Sequence, residues 1–330
     1  MSRFLILGSN SFSGAFFCDH LAAAGHEVIA TSRSPEPHDA FLPYRWRAHA
    51  APVRFFKIDI NYDLDALDAL LAAEKPTHVV NFAAQSMVGE SWKHPEHWMM
   101  TNAVSTTLLF ERLRRYQGLA RYVHVTTPEV YGSTDGWITE DAPFNPTTPY
   151  AVSRAAGDMQ LKIIQAQYGF PAVSTRAANV YGPGQQTYRI IPRTILSAMK
   201  GTKLQLHGGG VSIRSFIHMR DVSAATLAIA LRGTDGEAYH ISTDRMISIR
   251  GLVEMILAGL DKDFFESVDV APERAGKDQA YMLHSGKLRA ELGWTDQVTL
   301  EDGIAECVAW ARRFSDHLLG MPSWDYQHRP

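Results

Sequence analysis

Strand-like and helix-like segments alternate through the first 130 residues of the chain. Short apolar runs with the composition of strands buried on both faces lie at 3–8, 27–31, 53–59, 77–84 and 121–126. Helix patterns separate them at 13–25, 63–75 and about 98–117. This alternation predicts βαβ units and a parallel sheet, the α/β doubly wound (Rossmann) fold class, in which ligands bind at the carboxyl ends of the strands.

The length and the change of pattern along the chain predict two unequal parts. The chain has 330 residues, which suggests about two domains at roughly 150 residues each. Beyond residue 180 the alternation becomes less regular, although amphipathic helix patterns occur at 221–233 and 300–314. We predict a Rossmann domain at 1–178, to which about 215–240 returns, and a smaller C-terminal substrate-binding lobe at 179–330.

Composition excludes several classes of partner. The net charge is −3 and 20% of residues are charged, so the chain has no basic footprint for nucleic acid and no polybasic arm for membranes. No apolar run reaches a membrane span, and the N-terminal run is too short for a signal peptide. Two cysteines, Cys18 and Cys307, provide neither a disulfide framework nor a metal cluster. We therefore expect a cytoplasmic protein that uses no metal.

The stretch "LILGSNSFSGAFF" predicts a dinucleotide site. It places Gly8 and Gly14 between a strand and a helix, where glycine allows a tight turn and a close approach to a pyrophosphate. The middle position of the loop holds Ser11, which fits if its φ is negative. The loop residues that we assign to the cofactor are Gly8, Asn10, Ser11, Phe12, Ser13 and Gly14.

The end of the second strand bears on the choice between NADP and NAD. An acid there would bind the ribose 2′-hydroxyl of NAD, but the chain has Ser32 and Arg33. A guanidinium suits a 2′-phosphate, so we expect NADP, with NAD as the alternative. Asp59 either accepts from the adenine amino group or caps a turn. The remaining residues that we assign to the cofactor are Asp59, Ile60, Ala83, Ala84, Gln85, Asn102, Tyr150 and Arg154.

The stretch "TPYAVSRAAGDMQL" indicates acid–base chemistry. Tyr150 and Arg154 lie four residues apart on a predicted helix, so both project from one face. A nearby cation and a cationic nicotinamide ring would favour the phenolate of a tyrosine whose ordinary pKa is about 10. By itself such a pair is usually a surface contact. Thr127 and Glu129 follow a strand in "VHVTTPEVYGS", and together the four residues outline a hydride-transfer site.

These motifs resemble the extended short-chain dehydrogenase/reductase family, over nearly the whole chain. The resemblance rests on "NFAAQS", "TTPEVYG", "TPYAVSRAAGD", "TRAANVYGPGQ", "IIPRTI" and "GGGVSIRSFIHMRDV". It is strongest to the nucleotide-sugar 4,6-dehydratases of the dTDP-glucose and GDP-mannose types. It implies Thr127, Glu129, Tyr150 and Arg154 as catalytic residues. The substrate-binding residues that it implies are Ser86, Glu129, Asn179, Arg193, Arg214 and Arg274.

The resemblance also implies a reaction and a homodimer. Tyr150 would deprotonate the C4 hydroxyl of a nucleotide sugar during its oxidation, and Glu129 would take the C5 proton before water leaves from C6. The family's acid at position 128 and its lysine at 154 are here Pro128 and Arg154, and proline has no side chain that can move a proton. A nucleotide-sugar epimerase, or a 5,6-dehydratase, using the same C4 oxidation is therefore the alternative.

Overall fold

The computed structural model describes residues 1–46, 48–134, 136–272 and 282–329. Its strands, in chain order, are β1 (Arg3–Leu7), β2 (Glu27–Ser32), β3 (Arg54–Lys57), β4 (His78–Asn81), β5 (Arg121–Val125), β6 (Trp137–Ile138), β7 (Ala172–Ala177), β8 (Asn179–Tyr181), β9 (Leu204–His207), β10 (Ile213–His218), β11 (Ala238–Ile241), β12 (Met246–Ser248), β13 (Val268–Ala271) and β14 (Met282–Leu283). Its α-helices are α1 (Phe12–Ala23), α2 (Leu64–Glu74), α3 (Val88–Ser91), α4 (Pro95–Met99), α5 (Thr106–Leu113), α6 (Pro149–Tyr168), α7 (Ile190–Lys200), α8 (Met219–Arg232), α9 (Ile249–Ala258), α10 (Phe264–Ser267), α11 (Gly286–Leu292), α12 (Leu300–Arg313) and α13 (Ser315–Gly320).

A parallel seven-stranded sheet lies at the centre of the fold, in the order β11-β7-β5-β4-β1-β2-β3. Side chains alternate between the two faces of a strand, and both faces of β1 are buried. Phe4 and Ile6 pack in one core and Leu5 and Leu7 in the other, which explains the uninterrupted apolar run. The prediction of a doubly wound α/β fold is confirmed.

The strand order reverses at β1. The chain runs outward from β1 to β2 and β3, and then returns to build β4 and β5 on the other side. In open α/β sheets this reversal leaves a crevice at the carboxyl ends of the central strands, where ligands bind. The loops that follow β1, β2 and β4 meet at this crevice, as the glycine motif requires.

The C-terminal part builds smaller sheets. Strands β8, β10 and β12 form one, and β9 pairs with β13. Ile195, Leu252, Ile304 and Trp310, from α7, α9 and α12, share a buried core. Strand β11 pairs with β7 at the edge of the large sheet, and α8 packs against α1. The domain boundary at residue 178 stays a prediction.

The predicted helix at about 98–117 is wrong in its bounds and in its continuity. Helix α4 begins at Pro95, a π-helical segment covers Met100–Ser105, and α5 ends at Leu113. The Thr106 hydroxyl donates to the carbonyl of Thr101, five residues earlier, within this wider turn. Because π-helical residues have ordinary helix composition, the helix pattern hides the insertion.

None of the helices in the described part of the chain is both long enough and apolar enough to cross a membrane.

A buried ion pair lies beneath the carboxyl ends of the strands. The Asp158 carboxylate, on α6, accepts from Arg176 of β7 at 2.7 Å, and both side chains are at most 5% exposed. His124 of β5 lies 3.3 Å from the same carboxylate. Burial alone would raise the pKa of Asp158, but contact with His124 and the charge of Arg176 outweigh it and lower that pKa. Asp158 is thus an anion inside the protein.

We expect Arg176→Met to destabilise the protein by about 3–5 kcal/mol, because it leaves a buried carboxylate without its cation. The matched control is Arg3→Met, which breaks the half-exposed pair with Glu27 and should cost at most about 1 kcal/mol. Urea unfolding at neutral pH measures both. Equal losses of unfolding free energy in the two variants would show that the buried pair stabilises the protein no more than the half-exposed pair does.

The same pair predicts a dependence on pH. A carboxyl whose pKa is lowered by folding stabilises the protein above the ordinary pKa of aspartate, about 3.9, and this stabilisation is lost as the pH falls toward the folded-state value. Wild-type protein should therefore lose more unfolding free energy than Arg176→Met between about pH 5 and about pH 3.

Candidate active site

The glycine loop joins β1 to α1 with little space around it. Gly8 has φ +81°, and a Cβ on it would lie 2.6 Å from the backbone nitrogen of Ala83. A Cβ on Gly14 would lie 2.3 Å from the carbonyl oxygen of Gly8. Ser11 has φ −73°, caps α1 by accepting from the Gly14 N–H, and donates to the Gly8 carbonyl. The serine therefore fits the middle position of the loop without strain.

A cavity of about 240 Å³ lies between this loop and the ends of β2 and β4. Most of the predicted cofactor residues line it: Gly8, Asn10, Ser11, Ser32, Arg33, Asp59, Ile60, Ala83, Ala84 and Gln85. Phe12, Ser13 and Gly14 instead form the first turn of α1, whose backbone N–H groups favour an anion. Thr31, Asn61, Thr101 and Arg329 also contribute to the wall, although the sequence analysis did not assign them.

The residues around the cavity fit a dinucleotide. The loop admits no Cβ at Gly8, so the backbone itself forms the wall there. The Asn10 side-chain amide donates to the carbonyls of Ser34 and Pro35, while its Oδ1 is buried with no hydrogen-bond partner among the described residues. A buried acceptor without a partner costs free energy, and a hydrogen-bond donor on a bound ligand would remove this cost. The Asn10 Oδ1 is therefore suited to bind a polar group of a ligand.

Ser32 and Arg33 lie at the end of β2, on the cavity wall, as predicted. The Arg33 guanidinium donates to the carbonyl of Arg329 at 3.0 Å. Asp59 lines the cavity, and its Oδ1 accepts from the Asn61 N–H in the turn after β3, as the turn-capping interpretation expects. The contact with an adenine amino group stays a prediction.

Asn102 is buried and fixes the loop after β4, rather than lining the cavity itself. Its side chain exchanges two hydrogen bonds of 2.9 Å with the backbone of Gln85 and donates to the Ser153 hydroxyl on α6. Asn102 lies in the π-helical segment. It therefore fixes the loop after β4 against the helix that carries Tyr150.

The stretch after β5 turns at once into a short 3₁₀ helix, Pro128–Tyr131. Thr127 caps it by accepting from the Glu129 N–H at 3.2 Å. Pro128 occupies the first helical position, where a proline lacks only an N–H that would have no helical partner. The buried proline thus supports the turn that presents the half-buried Glu129.

Tyr150 and Thr127 meet at the end of β5. Tyr150 is 8% exposed, its hydroxyl contacts the Thr127 side chain, and its backbone N–H donates to Ser91. Burial raises the pKa of the Tyr150 phenol; the Arg154 guanidinium and the Thr127 hydrogen bond act in the opposite direction without reversing it. Arg154 acts to lower the pKa of Tyr150, as expected, but without a bound cofactor the effect of burial is larger.

Arg154 is buried and tied to the backbone. It is 5% exposed and its Nη2 donates to the carbonyl of Val125, the last residue of β5. The guanidinium thus fixes α6 to the end of β5 while keeping a positive charge near Tyr150. A lysine has no planar fork to hold this geometry.

The predicted substrate residues are spread over several elements. The Asn179 amide donates to the carbonyl of Ser215, which ties β8 to β10, and Arg214 lies in β10. Arg193, on α7, pairs with Asp325 near the C-terminus. Ser86 is exposed in the loop after β4. Arg274 lies outside the described residues.

Two features near the site were missed by sequence reasoning. Arg189, which precedes α7, lies close enough to Tyr150 for its charge to oppose the effect of burial on the pKa of Tyr150. Arg329, near the C-terminal end of the sequence, lines the cofactor cavity. The arginine after the tyrosine in "TYRIIPR" was a weak signal for Arg189. No periodic pattern marks Arg329.

Comparison with known proteins identifies the family. Residues 5–307 match the GDP-mannose 4,6 dehydratase family. The dTDP-glucose 4,6-dehydratase of Xanthomonas campestris pv. campestris is 33% identical over 328 residues, 94% of this chain and 93% of that protein. An Arabidopsis thaliana trifunctional UDP-glucose 4,6-dehydratase/UDP-4-keto-6-deoxy-D-glucose 3,5-epimerase/UDP-4-keto-L-rhamnose-reductase is 33% identical over 78% of this chain, which spans 39% of that longer protein.

A solved structure agrees with these relatives. The crystal structure of DesIV, a dTDP-glucose 4,6-dehydratase from Streptomyces venezuelae with NAD and TYD bound, has a TM-score of 0.87 and is 32% identical, covering 96% of this chain and 98% of that one. With a family match over most of its length and the glycine loop, Thr127, Glu129 and Tyr150 in place, this chain belongs to the nucleotide-sugar 4,6-dehydratases of the extended short-chain dehydrogenase/reductase family.

Proposed function

We propose that the protein removes water from a nucleoside-diphosphate hexose and forms a 4-keto-6-deoxy sugar, with a nicotinamide dinucleotide as hydride carrier. The observation that carries this proposal is the meeting of Thr127, Glu129 and Tyr150 at the end of β5, one strand from the loop that lines the cofactor cavity. The 4,6-dehydratase names of the relatives and the NAD in DesIV support it.

The first step needs a base at the C4 hydroxyl of the sugar. Bound in the cavity, an oxidised nicotinamide would supply the hydride acceptor for C4 and a positive charge. Tyr150 takes the hydroxyl proton, and Thr127 orients its phenol through their hydrogen bond. Arg154 and Arg189 add positive charge that opposes the effect of burial on the pKa of Tyr150.

Elimination requires a base at C5 and an acid at the C6 hydroxyl. The C4 ketone acidifies the C5 proton, which Glu129 takes. Pro128 cannot donate a proton, so we propose that Glu129 returns the C5 proton to the departing C6 hydroxyl on the same face. The 3₁₀ turn holds Glu129 for both transfers, since its backbone N–H is capped by Thr127.

Glu129→Gln should abolish dehydration and preserve C4 oxidation, because glutamine cannot accept the C5 proton. We expect turnover to fall about 100-fold or more, with reduced nicotinamide absorbance still appearing on mixing with substrate. Glu254→Gln, which alters an exposed pair with Arg250, should retain wild-type turnover. Full dehydration by the Glu129 variant would contradict the role of this carboxylate.

The product distinguishes the two reactions that C4 oxidation permits. Mass spectrometry of the wild-type reaction with dTDP-glucose, GDP-mannose, UDP-glucose and UDP-N-acetylglucosamine should show the loss of one water from at least one of them. Unchanged mass with altered chromatographic retention on every substrate would mean epimerisation, the reaction that the proline at position 128 leaves open.

For the cofactor we propose NADP over NAD. The NAD-binding acid at the end of β2 is replaced by Ser32 and Arg33, and both line the cavity. Arginine forms charge-assisted hydrogen bonds with phosphate oxygens, and a ribose 2′-phosphate would place such oxygens at this strand end. The carbonyl of Arg329 holds the Arg33 guanidinium on the cavity wall.

Arg33→Ala should weaken NADP binding and leave NAD binding nearly unchanged. Losing hydrogen bonds between charged partners costs about 1.5–3 kcal/mol, or roughly 10- to 100-fold in the Kd for NADP. Arg115→Ala, which changes an exposed arginine on another surface, is the control. Calorimetric titration with both cofactors measures the ratio of affinities; an equal loss for both would show that Arg33 does not read a 2′-phosphate.

We also propose a homodimer, formed through α5, α6 and the π-helical segment. These neighbouring helices expose apolar side chains that the monomer leaves in solvent: Val104, Leu108, Val152, Met159 and Ile163, at 45–62% exposure. Ala155, one turn before Met159 on α6, is instead buried in the monomer. Pairing two copies of this face would bury a continuous apolar patch.

Ile163→Lys should produce monomers, because it places a charge at the centre of the buried patch. Val270→Lys changes an equally exposed valine on β13 and should leave the dimer intact. Light scattering after size exclusion gives the mass of each variant. A dimeric Ile163 variant, or a monomeric wild type, would refute this interface.

For the sugar nucleotide we propose Ser86, Asn179, Arg193, Arg214 and Arg274 as binding residues, on the family resemblance. Arginines suit a diphosphate because their planar fork pairs with two oxygens. We place the enzyme in the cytoplasm: Cys18 and Cys307 are buried thiols that form no disulfide with each other, as a reducing compartment favours.

A further inference from the structure

The last residues of the chain form a strap between the C-terminal part and the cofactor cavity. We use this name for residues 324–329. At its start, Asp325 pairs with Arg193, and the Arg193 guanidinium also lies over the Trp324 ring. Tyr326 packs edge-on against Tyr188 at 5.3 Å. These contacts fasten the strap to α7 and to the loop before it.

The other end of the strap lies on the Rossmann part. The carbonyl of Arg329 accepts from Gln85 at 2.8 Å and from Arg33 at 3.0 Å, and Arg329 lines the cofactor cavity. His328 stacks on Trp98 and forms a 2.8 Å hydrogen bond with His97 Nδ1. The cavity persists with the strap in place, so the strap is a wall of the cavity and not a plug.

His97 belongs to a cluster of metal-binding side chains. His94, Glu96 and His97 each offer one ligand atom, and these atoms lie within 4.8 Å of one another. The Glu96 Oε1 is 3.5 Å from His94 Nδ1 and 3.7 Å from His97 Nε2. Two ligand atoms on a tetrahedral zinc ion, each about 2.0–2.1 Å from it, are separated by about 3.3 Å. The separations from Glu96 Oε1 exceed this spacing by only about 0.2–0.4 Å, and His94 and Glu96 are exposed while His97 is half-buried.

The two nitrogens of His97 have separate partners, as in a metal site. Its Nε2 faces Glu96, and its Nδ1 contacts His328 Nε2. A histidine that binds a metal through one nitrogen donates the proton of the other to a nearby acceptor, which fixes its tautomer and orientation. His328 is such an acceptor, so a metal at Nε2 would strengthen the hydrogen bond that holds the strap.

We propose that His94, Glu96 and His97 bind a divalent transition-metal ion of the zinc class, and that the ion fastens the strap over the cofactor cavity through His97 and His328. Imidazole and carboxylate ligands suit zinc and its transition-metal neighbours and do not suit magnesium, which prefers oxygen alone. The two cysteines of the chain predicted no metal, and the cluster in "HPEH" contains no cysteine.

The metal site is tested on the full-length protein by calorimetric titration with zinc chloride. We expect binding by wild type, loss of binding in His94→Ala and in Glu96→Gln, and about tenfold weaker binding in His328→Ala, which removes the partner of His97. His317→Ala is the control, because His317 stacks on His38 in another histidine pair. Magnesium chloride should not bind. Unchanged zinc affinity in the His94 and Glu96 variants would overturn the site.

The effect of the metal ion on cofactor binding needs a separate test, because it rests on the proposal that the cavity binds NADP. Zinc should lower the Kd for NADP about fivefold or more in wild type, and bound NADP should tighten zinc by the same factor. His328→Ala should show neither effect. Zinc binding that leaves the cofactor Kd unchanged, or raises it, would overturn the fastening of the strap. A protein that binds zinc but not NADP would instead contradict the cofactor assignment.

Discussion

The buried charge of Asp158 anchors the network that connects the turn carrying Glu129 with the loop after β4. The carboxylate is held by Arg176, and Arg176 donates to the Tyr131 hydroxyl, at the end of the 3₁₀ turn that carries Glu129. On the other side His124 lies against the carboxylate and contacts Tyr122, whose hydroxyl accepts from Asn81.

Asn81 extends this network to the cofactor loop. Its side-chain oxygen accepts from the N–H of Ala83, on the cavity wall. A chain of polar contacts therefore joins the cofactor loop to the turn of the catalytic carboxylate, beneath three adjacent strand ends. In a low-dielectric interior an unpaired member would be costly, so the network restricts both loops to one arrangement. Positioning at the reacting carbons depends on this rigidity more than on the surface residues around it.

Local patterns predicted most of the fold and most of the residues that line the cavity. The strands of the large sheet and the glycine loop could be predicted because burial on both faces and a tight turn each dictate the residue types locally. Asn102 was assigned to the cofactor, yet its role in clamping Gln85 depends on a π-helical turn that helix periodicity cannot reveal. The strap could not be foreseen, because "SWDYQHR" has no period and its hydrogen bonds with Thr187 and Gln85 join residues more than 100 positions apart.

In the proposed mechanism, the raised pKa of Tyr150 would couple its protonation to the oxidation state of the cofactor. Burial raises the pKa of the phenol despite Arg154 and Thr127, so the positive charge of an oxidised nicotinamide ring would favour the removal of its proton. A reduced ring would lack that charge, and the phenol would then keep the proton taken from the sugar. The proposed dehydration needs this order, because the C4 ketone must survive while Glu129 acts at C5. The cycle would close when hydride is returned to C6, C5 takes a proton from solvent, and Tyr150 releases the C4 hydroxyl proton to solvent. A tyrosine with a strongly lowered pKa would lose this coupling, so burial of Tyr150 fits the proposed separation of oxidation at C4 from elimination at C5 and C6.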